Sequence, residues 1–324
     1  MNSFGRIFRI NIFGESHGSE VGVTIDGCPP GIPLSEKDFE TDLARRKSGA
    51  KGTTSRKESD TPRLISGVYQ GHTTGAPLTI LFENSDTRSG DYADFTDIPR
   101  PGHADFTATK KYSGFNDPRG GGHFSGRITI CLVAAGVIAK KIITPVKVKA
   151  GLKEAGGEKE IEYAVEKAIA ANDSIGGIVE CKVSQMPVGL GEPFFDSLES
   201  LISHIVFSIP GIKGVEFGAG FDSARMSGSE HNDCFVSTDG ETSTNHAGGI
   251  NGGISNGNLL VFRVGVKPTS SISKKQRTMN KTTGEMVDLE IKGRHDVCIA
   301  LRVPVIVEAA TAIVLADQFL TRNQ

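Results

Sequence analysis

Glycine is concentrated in a few short segments of this chain, and these segments restrict the possible folds more than any other feature. The chain holds 40 glycines in 324 residues, above the usual share of about 7%, and the densest runs are GGGHFSG at 120–126 and AGGINGGISNG at 247–257. Glycine adopts left-handed backbone conformations without steric cost. Because charged and apolar residues interrupt the clusters, we expect ordered turns between short elements, within a single domain spanning residues 1–324.

Composition and charge limit the class of protein. Hydrophobic residues make up 37% of the chain and charged residues 23%, which is typical of a folded protein with a core. The formal net charge of −2 supplies no field to hold a nucleic-acid backbone. The longest apolar stretch, 128–139, is shorter than the roughly 20 residues that a membrane span requires. The N-terminus lacks the pattern of a secretion signal. We expect a cytoplasmic protein that binds neither nucleic acid nor membrane.

The cysteines are scattered, without a Cys-x-x-Cys pair, and their odd number argues against a disulfide framework. They are Cys28, Cys131, Cys181, Cys234 and Cys298. We expect all of them to be reduced thiols in the core.

Hydrophobic periodicity predicts a mixed protein in layers. Strands are predicted at 5–13, 21–25, 177–188 and 258–266, with two more inside 63–83 around the turn 71–75. Helices are predicted at 35–46 behind a Ser35–Asp38 capping box, at 128–143, at 161–171, at 197–208 behind an Asp196 cap, and at 307–320. The last helix is expected to bury one apolar stripe that includes Val307, Ala310, Val314 and Phe319. The polar segment 48–60 is expected to be a mobile loop.

Two histidines stand in tight glycine-containing turns. His17 lies in GESHG, at the end of the first predicted strand, and His103 lies in RPGHAD. Histidine has the side-chain pKa nearest neutrality, so an exposed turn of this kind suits a proton donor or acceptor. The alternative is a structural histidine. A metal site is not expected, because no pair of histidines or cysteines has zinc-site spacing.

Glycine loops and arginines together indicate an anionic ligand. Backbone amides of the two densest glycine loops could hold phosphate, although tight packing turns are the alternative. Basic residues stand beside glycine loops or helix ends at Arg45, Arg46, Arg119, Arg127, Lys267 and Arg294. Arginine's planar fork suits carboxylate and phosphate. Lys267 ends an apolar strand and leads into three hydroxyl side chains, which favours a phosphate or polar-ring site there.

At these residues the chain resembles the chorismate synthase family over nearly its whole length. The motifs are GESHG at 14, DGCPPGIPL at 26, LARR at 43, RPGHAD at 100, RGGG at 119, GVEFGAGF at 214, NHAGGINGGISNG at 245, KPTSSI at 267 and KGRHDVC at 292. Several long motifs in the same order make the resemblance specific.

The resemblance implies a fold, a reaction and a cofactor. The fold would be α+β, a β-α-β sandwich in which antiparallel sheets enclose helices, assembled as a homotetramer. The reaction would be the anti elimination of phosphate and a ring proton from 5-enolpyruvylshikimate 3-phosphate, giving chorismate in the shikimate pathway to aromatic amino acids. Reduced FMN would be required although the net reaction is redox-neutral. NADPH would bind only if the enzyme is bifunctional and reduces its own flavin.

Site residues follow from the same resemblance, position by position. His17, with Ser16 beside it, would be the acid that assists the leaving phosphate. His103 would keep the reduced flavin in its working protonation state, and Asp296 would help to remove the substrate proton. Flavin contacts would come from His123, Ser125, Gly252, Lys267, Pro268, Thr269, Ser270, Ser271 and Arg294. Arg45 and Arg46 would contact the phosphate of the substrate or of NADPH, and Arg127 would line the substrate site.

The chain departs from the family pattern at three places. His123 stands where an arginine is common, and Pro210 with Gly211 stands where Asn-Ala is common. A second basic residue expected after Arg46 is displaced to Lys51 or Arg56. Two other functions stay open: a flavoprotein oxidoreductase, although the chain has no dinucleotide fingerprint, and a non-catalytic phospholigand-binding protein, which would not need His17, His103 and Asp296 together.

Overall fold

A computed structural model describes residues 2–56, 58–87, 95–291, 293 and 295–322. The strands in these ranges are β1 Ser3–Phe4, β2 Arg9–Gly14, β3 Glu20–Asp26, β4 Arg63–Ser66, β5 Val68–Tyr69, β6 His72–Thr73, β7 Leu78–Glu83, β8 Lys147–Ala155, β9 Gly177–Ser184, β10 Ile212–Phe217, β11 Ile250–Asn251, β12 Ile254–Ser255, β13 Leu260–Val266, β14 Gln276–Met279 and β15 Met286–Leu289. The helices are α1 Glu40–Arg46, α2 Asp105–Lys111, α3 Thr129–Ile142, α4 Ile161–Ala170, α5 Leu198–Val206, α6 Gly228–His231 and α7 Val303–Arg322.

Two antiparallel sheets enclose a layer of helices, as predicted. One sheet has the strand order β1-β2-β3-β7-β4, and the other has the order β10-β13-β9-β8. Helix α3 packs on β2 and β3 of the first sheet, α7 packs on β8 and β9 of the second, and the two helices pack on each other. Alternate residues of β3 and β13 point inward, such as Val23 and Phe262, and are fully buried. The period-2 pattern of the strands therefore builds both walls of the sandwich.

Helices α3 and α7 approach each other most closely at Gly136. A methyl group built at Gly136 would lie 2.5 Å from the Cα of Ala309 and would collide with its Cβ. Both helices are buried along most of their length, so neither can move aside without disturbing a sheet. The absence of a side chain at this position sets the spacing of the helical layer.

We expect Gly136→Ala to lower the free energy of unfolding by about 1–3 kcal/mol, the usual cost of overpacking a core. This sign is opposite to helix propensity, which favours alanine over glycine by about 1 kcal/mol. Urea denaturation measures the change. Gly151→Ala is the matched control, because a methyl group at Gly151 in β8 meets nothing within 4 Å. Unchanged stability of the Gly136 variant would show that the two helices can separate at little cost.

The first predicted strand, 5–13, is interrupted, because a buried carboxylate binds its backbone. The Asp317 carboxylate of α7 accepts hydrogen bonds from the backbone N–H groups of Arg6, Ile7 and Phe8, at 2.7–3.0 Å. These donors are therefore unavailable to a sheet, and only β1 and β2 on either side are extended. The prediction was wrong for residues 5–8.

Two further local predictions needed correction. Residues 63–83 form four short strands and not two, because Gly67 has a φ of +81° and β5 and β6 make a separate hairpin. The cap of α5 is Ser197, whose side chain accepts the Ser200 N–H at 3.1 Å, whereas Asp196 pairs with Arg6. At the start of the first helical segment, by contrast, the Asp38 carboxylate accepts the Ser35 N–H at 2.7 Å, as the capping box predicts.

Helix α7 is the central element of the molecule, and it is buried on all sides from Val305 to Gln318. The predicted helix and the burial of its stripe are confirmed, but the other faces are buried as well, since α3, α5 and β8 surround the helix. The segment Ile299–Arg322 is long and apolar enough to span a membrane by composition, since an 18-residue window of it has a mean hydropathy of 2.0, and it exceeds the stretch 128–139. Of that window, 78% is buried inside the protein, as expected for the core helix of a sandwich.

The cysteines are all unpaired. Cys28, Cys131, Cys181 and Cys298 are buried, as predicted, but Cys234 is exposed. Burial raises the pKa of the Cys28 thiol to about 11, which leaves it protonated and unreactive at neutral pH.

Candidate active site

The GESHG turn leaves β2 at Gly14, which has a φ of +97°, and it buries two polar side chains. Ser16 is fully buried and His17 is 8% exposed. The Ser16 N–H donates to the carbonyl of Gly122 at 3.1 Å. The amide of Asn84 donates to the carbonyls of Glu15 and Gly18, at 3.0 and 2.9 Å. The turn is thus fixed by hydrogen bonds from outside it, and its histidine is held in place.

The glycine triplet at 120–122 separates the two histidines. A methyl group at Gly120 would lie 2.6 Å from His17 Nε2, and one at Gly121 would lie 3.5 Å from His103 Cε1. All three glycines have positive φ, so side chains are disfavoured both by the backbone and by the neighbours. His17 and His103 therefore lie against two consecutive residues of the triplet.

Electrostatics favours neutral His17 in the protein without ligand. Burial lowers the pKa of His17 below its usual 6.5, and the positive charges of Arg56 and Arg119 lower it further. Arg56 donates to Ser16 Oγ at 2.9 Å and to the Ser16 carbonyl at 3.1 Å, while Glu58 accepts from Arg56 at 2.6 Å. An anion bound beside Arg56 would reverse this effect and favour the imidazolium.

We expect Arg56→Gln to raise the pKa of His17 toward 6.5, because one of the positive charges that disfavour the imidazolium is removed. An NMR titration of the His17 ring protons in the protein without ligand measures the change. Lys51→Gln is the control, since Lys51 belongs to the same loop but pairs with Glu166 at the surface. A pKa that stays constant or falls in the Arg56 variant would contradict this account.

His103 is bound by its own loop. Its Nδ1 lies 2.6 Å from Asp105 Oδ1, and the guanidinium of Arg100 holds the same carboxylate from the other side, at 2.8 Å. Arg100 also donates to Ser271 Oγ at 3.1 Å. The RPGHAD loop is therefore attached to the KPTSS segment.

Lys267 and Ser270 strengthen this attachment. Both donate to the carbonyl of Gly102, at 2.6 and 2.7 Å, and Lys267 also donates to Ser270 Oγ at 2.8 Å. Burial lowers the pKa of Lys267, and the nearby charge of Lys213 lowers it further. Two segments that are far apart in sequence thus meet beside His103 through polar groups suited to an anion.

A cavity of about 380 Å³ opens beside Gly120 and Ser125. Its described lining residues are Arg46, Lys47, Ser48, Thr54, Arg56, Glu58, Asp60, Gly120, Ser125, Gly126, Arg127, Thr269, His295, Asp296 and Arg302. Among these, five side chains are cationic and three are carboxylates. The described lining therefore favours an anion.

Asp60 orders the arginines on one wall of this cavity. Its carboxylate bonds to Arg46 at 2.7 Å and also to Arg127, and all three side chains are 3% exposed or less. Burial alone would raise the pKa of Asp60, but the two arginines outweigh it and lower the pKa. Arg127 also donates to Asn84 Oδ1 at 2.8 Å, so Asn84 connects this wall to the histidine turn.

Asp296 connects the loop 48–60 with Arg302 in the cavity lining. Its Oδ1 accepts the Thr54 N–H at 2.9 Å, and its Oδ2 lies 3.5 Å from Arg302 Nη1. Arg302 in turn donates to the carbonyl of Arg46 at 2.8 Å. The loop has neither helix nor strand at its described residues, and the bond from Thr54 attaches it to Asp296. Its predicted mobility stays a prediction.

The structure brings together most of the residues predicted for the site. Ser125, Arg46, Arg127, Thr269 and Asp296 line the cavity, and Ser16 and His17 contact its lining. His103, Lys267, Ser270 and Ser271 form the adjoining cluster described above, in the segment that includes Pro268.

Three predicted residues are placed differently. Arg45 points away from the described lining and forms a bidentate pair with buried Glu308, at 2.7 and 2.8 Å. His123 bonds to the Gly14 carbonyl and to Asn2. Gly252 lies in the turn between β11 and β12, outside the described lining. Arg294 lies outside the described residues.

Several polar residues of the site were missed by the sequence reasoning. Arg100, Asp105, Glu58, Asp60, Asn84 and Arg302 each bind a predicted residue or a cavity neighbour. The second basic residue expected after Arg46 could be Lys51 or Arg56. Of these two, the structure places only Arg56 among the described lining residues of the cavity. Within the described ranges, no group of three histidine, cysteine or acidic side chains could hold a metal ion.

Comparison with known proteins shows the family of this chain. The family model described as chorismate synthase matches residues 8–320. A chorismate synthase of Chitinophaga pinensis is 65% identical over 325 residues, covering 100% of this chain and 98% of the relative. One of Thermococcus kodakarensis is 43% identical, covering 98% of each chain. The crystal structure of a chorismate synthase superposes with a TM-score of 0.76 at 25% identity, covering 98% of this chain and 93% of the other. The chain therefore belongs to the chorismate synthase family of phosphate-eliminating lyases.

Proposed function

We propose that the cavity binds 5-enolpyruvylshikimate 3-phosphate and removes its phosphate and a ring proton, with reduced FMN as cofactor, giving chorismate. The observation that carries this proposal is the position of His17 against Gly120 and of His103 against the next residue, Gly121, beside an arginine-rich cavity. An elimination needs one group to assist the leaving phosphate and another to manage the departing proton. The two histidines and Asp296 meet that need.

The cavity fits a phosphorylated carboxylic acid. Arg46 Nε and Thr269 Oγ1 are buried in its lining without a hydrogen-bond partner. Buried donors that lack partners cost stability until a ligand satisfies them. Burial lowers the pKa of Arg46 to about 10, so the side chain stays cationic at neutral pH. Together with Arg56 and Arg127, it would bind the phosphate and a carboxylate of the substrate.

The segment 267–271 and Ser125 would hold FMN. Lys267, Thr269, Ser270 and Ser271 offer one cation and three hydroxyls, and Thr269 Oγ1 is one of the atoms without a partner. This set of donors suits a flavin phosphate and the polar edge of the ring. When bound, the reduced flavin supplies electron density to the allylic system as phosphate leaves. His123, Gly252 and Arg294 are also proposed to contact FMN, because they match flavin-contacting positions of the family.

The protein residues carry the proton steps. His17 becomes protonated when the substrate phosphate enters, because the anion offsets Arg56 and Arg119, and it then donates to the leaving phosphate. Ser16, fixed by Arg56, supports the same oxygen atoms. His103 keeps the reduced flavin in its working protonation state, and Asp296 helps to remove the proton that the substrate loses.

The assembly and the cellular setting are part of the same proposal. We infer a homotetramer of single-domain chains in the cytoplasm, without nucleic acid or membrane partners. The neighbouring side chains of Phe194 and Phe195 are 86% and 91% exposed, which supports burial against another subunit. Lys51 pairs with Glu166 instead of lining the cavity, which leaves one phosphate contact fewer for NADPH and favours a monofunctional enzyme.

The direct test is phosphate release from 5-enolpyruvylshikimate 3-phosphate under anaerobic conditions. We expect turnover with dithionite-reduced FMN and none with oxidised FMN. A third sample with NADPH and FMN but no dithionite tests for an intrinsic flavin reductase, and no turnover is expected there. FMN binding without phosphate release in any sample would contradict the lyase proposal and favour an oxidoreductase or a binding protein.

A further inference from the structure

Asp105 occupies the centre of a buried cluster beside His103. Arg100 holds its carboxylate with two side-chain nitrogens, Nε to Oδ2 and Nη2 to Oδ1, both at 2.8 Å. The backbone N–H of Arg100 adds a third bond to Oδ2 at 3.1 Å. The Arg100 and Asp105 side chains are only 4% and 7% exposed. The carboxylate therefore has one fixed orientation, and Oδ1 faces the His103 ring.

Two proton arrangements fit the His103 ring. Its Nδ1 lies 2.6 Å from Asp105 Oδ1 and 3.0 Å from Arg100 Nη2. If Nδ1 carries the hydrogen, it donates to Asp105. If Nδ1 carries none, it accepts from Arg100, but its lone pair then faces a carboxylate oxygen at 2.6 Å.

The first arrangement is favoured because Asp105 is ionised. Burial alone would raise the pKa of Asp105, but hydrogen bonds from Arg100 and His103 outweigh it and lower the pKa well below its usual range. An N–H group that faces an ionised oxygen makes a short, charge-assisted hydrogen bond, whereas two facing lone pairs repel. A hydrogen on Nδ1 leaves Nε2 as the acceptor nitrogen of the neutral ring.

We propose that Asp105, held by Arg100, is a positioning residue that fixes His103 in the Nδ1–H tautomer and directs its Nε2 toward the backbone of Gly121. A methyl group at Gly121 would lie 3.6 Å from that nitrogen. Arg100 also donates to Ser271 Oγ, so the same cluster connects the ring to the segment 267–271. The orientation of the ring is independent of the reaction, and only the part played by Nε2 in turnover rests on the proposed function.

The tautomer can be observed directly by NMR of ¹⁵N-histidine-labelled protein without ligand, with His103→Gln to assign the signals. We expect wild-type His103 to show a protonated Nδ1. In Asp105→Asn the carboxylate charge is lost and Arg100 becomes the better partner for Nδ1, so we expect the Nε2–H tautomer to dominate. Phosphate release should show a kcat lower by about tenfold or more, with KM for the substrate nearly unchanged. Asp222→Asn, at an exposed pair with Arg225, is the control.

A second variant keeps the test decisive if Asp105→Asn does not fold. Arg100→Lys retains the positive charge but cannot hold both carboxylate oxygens, and we expect it to shift the tautomer in the same direction to a smaller extent. A wild-type ring with Nε2–H, or an unchanged tautomer in the variants, would overturn the inference. A tautomer switch without a change in kcat would refute its importance for turnover. A switch in a protein that never releases phosphate would support the positioning role and contradict the proposed function instead.

Discussion

Asp60→Asn should lower the free energy of unfolding by about 3–5 kcal/mol, the usual result of removing one partner from a buried ion pair. The carboxylate lies between Arg46 and Arg127, and all three side chains are nearly inaccessible to water. Without its charge, the two buried guanidinium groups lose the carboxylate that both of them contact. Asp60 has a φ of +53°, a conformation that asparagine tolerates as well as aspartate does. The substitution therefore isolates the charge from any backbone effect.

The measurement is urea denaturation at neutral pH, with Asp173→Asn as control because that carboxylate forms an exposed pair with Lys274. Added inorganic phosphate should restore part of the lost free energy of unfolding by binding the guanidinium groups of Arg46 and Arg127.

The difference in the free energy of unfolding between wild type and variant should also depend on pH. Since the folded pKa of Asp60 is lowered, its stabilisation is complete above the usual value of 3.8 and is lost as the pH falls through the folded pKa. A loss below about 1 kcal/mol would mean that the arginines are hydrated.

Local features were predictable from the sequence where they depend on the residues of a single short segment. His17 and His103 stand in glycine turns, and the structure places them beside Gly120 and Gly121. The capping box at Ser35 and the strands with clear alternation, such as β3 and β13, were also predicted. The resemblance to a family supplied the sandwich, which periodicity alone had left as unspecified layers.

Features that depend on distant partners were not predictable. Asp60 looks like a solvated residue in a polar loop, but one of its partners is Arg127, which follows 67 residues later. Arg45 and Arg46 are neighbours, yet successive helix residues project in different directions, so one reaches Glu308 and the other the cavity. In the same way, the strand at 5–13 was interrupted by Asp317, which lies at the other end of the chain.

His17→Ala should reduce kcat by about 10²- to 10⁴-fold, the usual contribution of a general acid, while the affinity for the substrate changes little. The arginines that would bind the phosphate do not depend on the imidazole, because Asp60 and Glu58 hold Arg46 and Arg56. Anaerobic phosphate release gives kcat, and calorimetry with the substrate in the absence of flavin gives the affinity. His72→Ala is the matched control, since His72 lies in the exposed hairpin of β5 and β6.

Added imidazole separates a proton donor from a structural histidine. Removal of the His17 ring leaves a space between Gly120 and the cavity, and a small imidazole that enters it can donate the missing proton. We expect millimolar imidazole to restore part of kcat in His17→Ala, and more strongly at pH values where imidazolium is abundant. The wild-type enzyme and the His72 variant should not respond. Equal losses of affinity and turnover without any rescue would show that His17 only maintains the shape of the turn, and the acid would then have to be sought among the other groups beside the phosphate.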